Sequence, residues 1–334
     1  MKLSAEENLL IDILFDRKIR KERFFEIDYE KLVKISSSHL VLPSLYKNLS
    51  EKLFLKYIPK DLQIYLKKIY SINRNRNSIL LKEIDFISKL FDENKIKYLY
   101  IKGAYLINEK ILNIDERMVG DIDILVERKD LNKVEKILHK QNYTNKKKYK
   151  LWKTRHLPRF TNTSKTFAVE IHSEILKIAK LKELDSDSYF AETKKLNNIA
   201  LIKSLVLSYE INDNGFLKKS YSLKNIYDVI KLIKHRNIVL KNQEMSKYTT
   251  SYFLKTNKLR ITDFKIEKKL RDRIYEIIFE LKYRSNFIKI FIYLYSEFII
   301  NIKIKSMQIV EMTINSNYRI RVFKKLFGKK MNII

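Results

Sequence analysis

Residues 120–126 read Gly120-Asp121-Ile122-Asp123-Ile124-Leu125-Val126, in which acidic and apolar side chains alternate. This alternation predicts a β-strand, on which residues two apart point to the same face. Asp121 and Asp123 then project side by side, while Ile122 and Ile124 enter a core. Two adjacent carboxylates repel each other unless a cation lies between them, and Mg²⁺ with its oxygen ligands satisfies that need. A solvated strand face is the alternative interpretation of the same pattern.

A second short pattern lies upstream of the two aspartates. Tyr98-Leu99-Tyr100-Ile101 is typical of a strand, and it runs through Lys102-Gly103 into a helical pattern. A strand that passes through a glycine into a helix presents free backbone N–H groups, which bind phosphate. Because Lys102 adds a full positive charge there, we expect Lys102 and Gly103 to bind a phosphate group.

A third acidic residue lies downstream, in the alternating segment Phe167-Ala168-Val169-Glu170-Ile171-His172. This segment predicts a further strand that carries Glu170. His172 lies two residues later and therefore shares the strand face of Glu170. It can orient Glu170 or contact a substrate, and a structural histidine is the alternative. A phosphate-binding turn, a paired-aspartate strand and a third acid together predict a metal-dependent phosphoryl-transfer site.

These motifs together resemble the DNA polymerase β-type nucleotidyltransferase superfamily. More narrowly, they are similar to a bacterial family of nucleotidyltransferases of uncertain substrate. The matching positions are Lys102-Gly103, Arg117, the strand 120–126, and Val169-Glu170-Ile171-His172.

The resemblance extends beyond these motifs, with one departure. Residues 39–46 resemble the family's N-terminal helical region, and residues 222–233, with Asp228, resemble a helix behind its catalytic domain. Most superfamily members have Ser or a second Gly after the turn glycine, where this chain has Ala104. One hydroxyl contact to phosphate is thereby absent.

The resemblance implies a metal-dependent nucleotidyltransferase that moves NMP from an NTP to a hydroxyl acceptor and releases pyrophosphate. Asp121, Asp123 and Glu170 would be the catalytic residues and the ligands of two Mg²⁺ or Mn²⁺ ions. The nucleotide-binding residues would be Lys102, Gly103, Arg117, Gly120 and His172.

Arg117 is the position at which the resemblance decides between two interpretations. From the residues alone, phosphate contact and a surface ion pair with Asp115 or Glu116 are equally good interpretations. The resemblance favours phosphate contact.

The acceptor is not identified by the sequence. A sugar or small metabolite, a protein side chain and the end of an RNA all remain open. The formal net charge of +30 favours a nucleic-acid partner, although the abundance of Lys, Ile and Asn is also what an AT-rich genome imposes. The alternatives are a toxin-like enzyme that modifies RNA or tRNA, and a non-catalytic relative that only binds nucleotide or nucleic acid.

The order of patterns predicts an α+β fold in which a small mixed β-sheet nucleotidyltransferase core is flanked by N-terminal and C-terminal helical regions. We expect a helical subdomain over residues 1–94, the catalytic core over 95–176 and a helical region over 177–334.

Composition bears on the compartment and on membrane contact. The chain has no cysteine, and its N-terminus lacks the apolar segment of a signal peptide, so we expect a cytoplasmic protein. The longest apolar run, residues 287–300, is interrupted by Lys289 and Glu297, which favours a buried helix over a membrane span. For the basic tail 318–330, an ordinary terminal helix is favoured over contact with a membrane surface or RNA.

Overall fold

The computed structural model describes residues 3–145, 156–176 and 197–314. Its first part is helical, as the apolar spacing predicts. The helices are α1 (Ala5–Leu14), α2 (Tyr29–Ser38), α3 (Leu42–Glu51) and the long α4 (Lys60–Glu93).

A five-stranded sheet follows, with helices between its strands. Its elements are β1 (Tyr98–Tyr100), α5 (Lys102–Asn108), β2 (Asp121–Val126), α6 (Leu131–Lys140), β3 (Thr144–Asn145), β4 (Phe160–Thr161) and β5 (Ala168–His172). The strand order is β1-β2-β5-β4-β3. Strands β2 and β5 are parallel, and the other neighbouring pairs are antiparallel. The sheet is therefore mixed, as expected.

The last part is helical again. Its elements are α7 (Asn198–Leu207), a π-helical turn (Ser208–Asn212), α8 (Gly215–Lys218), α9 (Leu223–Arg236), α10 (Lys247–Lys258), α11 (Leu270–Lys282) and α12 (Asn286–Ile314). The protein is thus an α+β protein with a small mixed sheet between flanking helices.

The buried apolar side chains form one cluster that passes through all three parts. It includes Leu45 of α3, Ile124 of β2 and Leu232 of α9, each fully buried. Both helical regions therefore pack on the sheet and contribute to one core. The boundaries at residues 94 and 176 stay a prediction.

Helix α4 also carries polar side chains on its buried face. Glu83 is buried and accepts hydrogen bonds from the backbone N–H groups of Thr166 (2.7 Å) and Phe167 (3.1 Å). These donors lie just before β5, so Glu83 anchors the start of the strand that carries Glu170. Charge-assisted bonds to backbone N–H groups are among the stronger hydrogen bonds in proteins.

The expectation that residues 287–300 form a buried helix is only half right. The run lies in α12, but Phe287 is 78 % exposed, and Phe291 and Phe298 are also exposed. The physical reason is that the helix is apolar on all sides, whereas the described neighbours cover mainly the face of Ile292 and Ser296. Among the described helices, none is both long and apolar enough to cross a membrane. The tail 318–330 lies outside the described residues.

Candidate active site

The strand 121–126 and the strand 168–172 lie side by side in the middle of the sheet. Their parallel register pairs Asp123 with Glu170. Ile122 and Ile124 are fully buried, as the alternation predicts. The sheet therefore brings two carboxylates together that lie far apart in the sequence.

Asp123 is the buried centre of the site. Its Oδ1 accepts hydrogen bonds from His172 Nε2 (2.8 Å) and Lys102 Nζ (2.5 Å). Burial by itself raises the pKa of Asp123, but the His172 hydrogen bond and the Lys102 charge outweigh burial and lower this pKa to about 2. Asp123 is therefore ionised at every physiological pH and carries negative charge into the core.

Asp121 and Glu170 are more accessible, and their pKa values move in opposite directions. Burial, together with the charges of Asp123 and Glu170, raises the pKa of Asp121. The hydrogen bond from His172 lowers the pKa of Glu170, and His172 Nε2 lies 3.6 Å from Glu170 Oε2. Arg159 Nη2 lies 4.0 Å from Asp121 Oδ2. The three acids thus form one strongly coupled electrostatic group.

Asp123, Glu170 and His172 form a second, closer group with the geometry of a metal site. Each of the three offers one ligand atom, and these atoms lie within 4.8 Å of one another. Because both close neighbours of His172 Nε2 are carboxylate oxygens, we assign the ring proton to Nε2, which makes His172 a donor. The oxygens of the acids are then the available ligands, and oxygen ligands suit Mg²⁺. Asp121 lies outside the close group of three.

The turn before α5 adopts an unusual backbone conformation. Lys102, the first residue of α5, has a φ of 54°, in the left-handed region that residues other than glycine seldom occupy. This conformation coincides with the Lys102 contact to Asp123. Ten other non-glycine residues in the described parts of the chain also have a positive φ, so the contact with Asp123, and not the backbone conformation alone, distinguishes Lys102.

Gly103 lies directly against Arg117. A Cβ at Gly103 would lie 2.0 Å from Arg117 Nη1 and 2.7 Å from its Cζ, closer than van der Waals contact allows. By contrast, a Cβ at Gly120 would meet nothing within 4 Å. Glycine is therefore required at position 103 by packing and not at position 120.

We expect Gly103→Ala to push the Arg117 guanidinium out of its place. Since this group is held in a buried ion pair, the free energy of unfolding should fall by about 1–3 kcal/mol, the usual cost of overpacking. Urea denaturation of Gly103→Ala measures the loss, and Gly120→Ala is the matched control, expected to change stability by less than about 0.5 kcal/mol. Equal stability of the two variants would contradict the packing argument.

Arg117 forms a buried, bidentate ion pair with Asp228 of α9. Its Nε lies 2.9 Å from Asp228 Oδ1, and its Nη2 lies 2.8 Å from Oδ2. Nη1 donates to the carbonyl oxygen of Met118 at 3.2 Å. The resemblance implies phosphate contact for Arg117 and a helix position for Asp228, and the structure joins the two residues in an ion pair. Phosphate contact by Arg117 stays a prediction.

Residues 113–119, which we call the Arg117 loop, are held from one side by α4. Asn73 Nδ2 donates to the carbonyl oxygens of Asp115 (2.9 Å) and Arg117 (3.2 Å). Asn77 Nδ2 donates to those of Ile114 (2.6 Å) and Arg117 (2.8 Å). Side chains four residues apart share a helix face, so the two asparagines act on the loop together.

The same loop is held from the other side through Glu116, which is buried. Glu116 Oε2 accepts hydrogen bonds from Lys47 Nζ of α3 (2.9 Å) and Tyr227 OH of α9 (2.9 Å). Its Oε1 accepts from the backbone N–H of Asn113 at 2.7 Å. Helices from both ends of the chain therefore converge on the loop that carries Arg117.

A polar cavity of about 310 Å³ opens beside the aspartates. The core lines one side of it through Lys102, Gly103, Arg117, Gly120, Asp121 and Asp123. The other side comes from the π-helical turn and the start of α9, through residues such as Asn212, Lys224 and Asn225. π-helical turns occur frequently at functional sites. Two larger cavities, of about 690 and 500 Å³, are lined by other parts of the chain and do not include the acids.

Comparison with protein-family models agrees with this geometry. Residues 26–244 match the model described as "uncharacterised nucleotidyltransferase". The chain belongs to this nucleotidyltransferase family. The match includes the whole sheet, the three acids and α9. No curated protein and no solved structure matches the chain.

Membership of the nucleotidyltransferase family implies a nucleotide substrate and transferase activity. The structure brings Asp123, Glu170, His172 and Lys102 together by direct contacts, and Asp121 joins them electrostatically. Gly103, Arg117 and Gly120 line the cavity. The individual roles predicted for these residues stay predictions.

Sequence reasoning missed several residues of the candidate site. It did not identify Asn73, Asn77 or Lys224, and it assigned no charged partner to Asp228. It considered Glu116 only as a possible partner of Arg117, whereas Glu116 contacts Lys47 and Tyr227. Asn73 and Asn77 carried a usable signal, because two asparagines four residues apart interrupt the buried face of α4, which apart from Glu83 is otherwise apolar. The other contacts join distant segments and leave no mark in local spacing.

Proposed function

We propose that this protein is a metal-dependent nucleotidyltransferase of the DNA polymerase β type, which transfers NMP from an NTP to a hydroxyl acceptor and releases pyrophosphate. The observation that carries this proposal is the register of β2 and β5. It places Glu170 beside Asp123, and Asp123 lines a polar cavity together with Lys102 and Arg117.

Asp121, Asp123 and Glu170 would hold two Mg²⁺ or Mn²⁺ ions, which when bound neutralise phosphate charge and lower the pKa of a coordinated hydroxyl. The donor set supports this assignment, since it consists of carboxylate oxygens. His172 holds Asp123 in place by a hydrogen bond and so acts as a positioning residue. Such a partner behind a metal ligand fixes the orientation of the ligand.

The two substrates would approach from different sides of Asp123. The described residues that line the cavity include Asp121 and Asp123 but not Glu170, so we assign the NTP to the cavity. The acceptor then lies on the Glu170 side. Lys102, now bonded to Asp123, is close enough to turn its ammonium group to a phosphate oxygen when a stronger cation takes the carboxylate.

The reaction is an in-line displacement at the α-phosphorus. Glu170 accepts the proton of the acceptor hydroxyl, whose oxygen forms the new bond to phosphorus. The bond from the α-phosphorus to the bridging oxygen of the β-phosphate breaks, and pyrophosphate leaves with that oxygen. Lys102 and Arg117 stabilise the negative charge that develops on the leaving group.

The identity of the acceptor class rests on charge. The net charge of +30 favours a polyanionic acceptor such as an RNA end, as in a toxin-like enzyme that modifies RNA or tRNA. A small metabolite or a protein side chain is the alternative. A cytoplasmic location is our prediction for such an enzyme.

A transfer assay tests the proposal. The protein is incubated with each of the four α-labelled NTPs, Mg²⁺ or Mn²⁺, and a pool of total RNA and cell extract as acceptor. We expect label in an acceptor together with release of pyrophosphate, and loss of both with a chelator or in Asp121→Ala/Asp123→Ala. Each lost metal contact removes several kcal/mol of transition-state stabilisation, so the rate should fall at least about 1,000-fold.

Asp85→Asn is the matched control for the double variant, because Asp85 is an exposed aspartate on α4. It should keep full activity. Separate digestion of the pool with ribonuclease or protease assigns the acceptor. NTP binding by the wild type and by the double variant is measured by calorimetry. If neither protein binds NTP, the proposal is overturned in favour of a protein that does not carry out nucleotidyl transfer.

A further inference from the structure

Lys224 lines the cavity as a cation without a partner among the described residues. It is the second residue of α9, is half-buried, and lines the cavity opposite the Asp121 strand. It makes no hydrogen bond or ion pair with any residue in the described parts of the chain. Burial of an ammonium group is costly unless an anion or a hydrogen-bond acceptor compensates it.

The other cations at the cavity already have partners. Lys102 is bonded to Asp123, and Arg117 is bonded to Asp228. Burial, and after it the nearby Arg117 charge, lower the pKa of Lys224, whereas the charges of Asp228, Asp213 and Asp121 oppose this shift. The net direction shows that the carboxylates nearby do not fully compensate Lys224. An anion from outside the chain would do so.

The position of Lys224 in the cavity indicates which class of anion would bind there. Lys224 faces the same cavity as Lys102 and Arg117, so an occupant meets cations from the core and from the helical region at once. A single carboxylate or phosphate group would contact only one of these cations. A chain of phosphates is long enough to contact several of them, and it also supplies oxygen ligands to metal ions held by the aspartates.

We propose that Lys224 binds the β- and γ-phosphates of the NTP, and the pyrophosphate after transfer, from the helical side of the cavity. This inference rests on the proposed function and adds a phosphate ligand that comes from outside the catalytic core. It makes α9 a part of the substrate site, through Lys224 directly and through Asp228 by its hold on Arg117.

Calorimetry with ligands of different phosphate number tests the role of Lys224. Wild type, Lys224→Met, Lys224→Arg and Lys234→Met are titrated with the four NTPs, the matching NMPs and inorganic tripolyphosphate, all with Mg²⁺. Lys234→Met is the control, since Lys234 is an exposed lysine ten residues further along α9 that pairs with Asp16.

We expect Lys224→Met to weaken binding of NTP and tripolyphosphate by about 10- to 100-fold, the value of a charge-assisted hydrogen bond. NMP affinity should change by less than about twofold, because an NMP lacks the phosphates concerned. Lys224→Arg should keep most of the affinity, since it retains the charge, and Lys234→Met should behave as wild type.

Three outcomes would overturn the inference, and they are distinguishable. If Lys224→Met binds tripolyphosphate as tightly as wild type, and this binding still requires Asp121 and Asp123, Lys224 is not a phosphate ligand. The proposed function is then unaffected. Equal weakening of NTP and NMP indicates a merely structural role, which thermal unfolding of the variant would show independently. If wild type binds neither NTP nor tripolyphosphate, the proposed function fails and the inference fails with it.

Discussion

Glu170→Gln is expected to lower the rate of nucleotidyl transfer by about 100- to 10,000-fold, the usual contribution of a general base. The affinity for NTP should stay within about threefold of wild type, because Glu170 does not line the cavity assigned to the NTP. The hydrogen bond from His172 lowers the pKa of Glu170, so the wild-type carboxylate is ready to accept a proton at neutral pH. Glutamine keeps the shape and loses this capacity.

The measurement is a single-turnover transfer assay at saturating NTP, beside calorimetric binding of the same NTP. Glu174→Gln is the matched control, as Glu174 lies four residues further on and forms an ion pair with Arg128. It should transfer at the wild-type rate. If Glu170→Gln transfers as fast as this control, Glu170 has no part in the chemistry.

The second large effect concerns the ion pair between Arg117 and Asp228, which joins the Arg117 loop to α9. Removal of one partner leaves the other charge buried without compensation. We therefore expect Arg117→Met and Asp228→Ala each to lower the free energy of unfolding by about 3–5 kcal/mol. Guanidinium denaturation measures both losses.

The double variant Arg117→Met/Asp228→Leu should recover most of this stability, because no buried charge remains. Its affinity for NTP should stay lowered, which tests Arg117 as a phosphate ligand in a stable protein. For comparison, Arg284→Met removes an exposed pair with Glu280 and should cost less than about 1 kcal/mol. Additive losses in the double variant would contradict the account of a coupled buried pair.

The chain patterns that predicted the fold are local ones. The alternation over residues 120–126 predicts β2, and the structure has a strand at Asp121–Val126. The segment 167–172 predicts β5, found at Ala168–His172, and Lys102 begins a helix as expected. These predictions succeed because strand and helix periods are written into spacings of two to four residues.

Two contacts between residues far apart in the sequence were not predicted. The hydrogen bond from His172 joins Asp123 across 49 residues, and the Arg117–Asp228 pair spans 111. From the residues alone, His172 could orient Glu170, contact a substrate or be a structural histidine. The resemblance gave Asp228 a position in a helix but no charged partner. Each of these partners depends on strand register or on how a helix docks, and neither is set by local spacing.

The exposure of α12 also shows that local sequence patterns do not determine tertiary contacts. An apolar run of 14 residues, 287–300, reports how strongly a helix would gain from burial but not whether a neighbour exists to cover it. In the described chain, α12 packs against α11 and α8, and Phe287 and Phe298 remain exposed.

The sequence by itself therefore determined the elements of this protein and the types of residue in its candidate site: two aspartates on one strand, a glutamate on another and a lysine-glycine turn. The tertiary structure alone decided that Asp123 pairs with Glu170, that Arg117 is held by Asp228, and that Lys224 faces the same cavity. The physical reason is that periodicity is a short-range property of the chain, whereas the pairing of charges depends on which distant segments the burial of apolar side chains brings together.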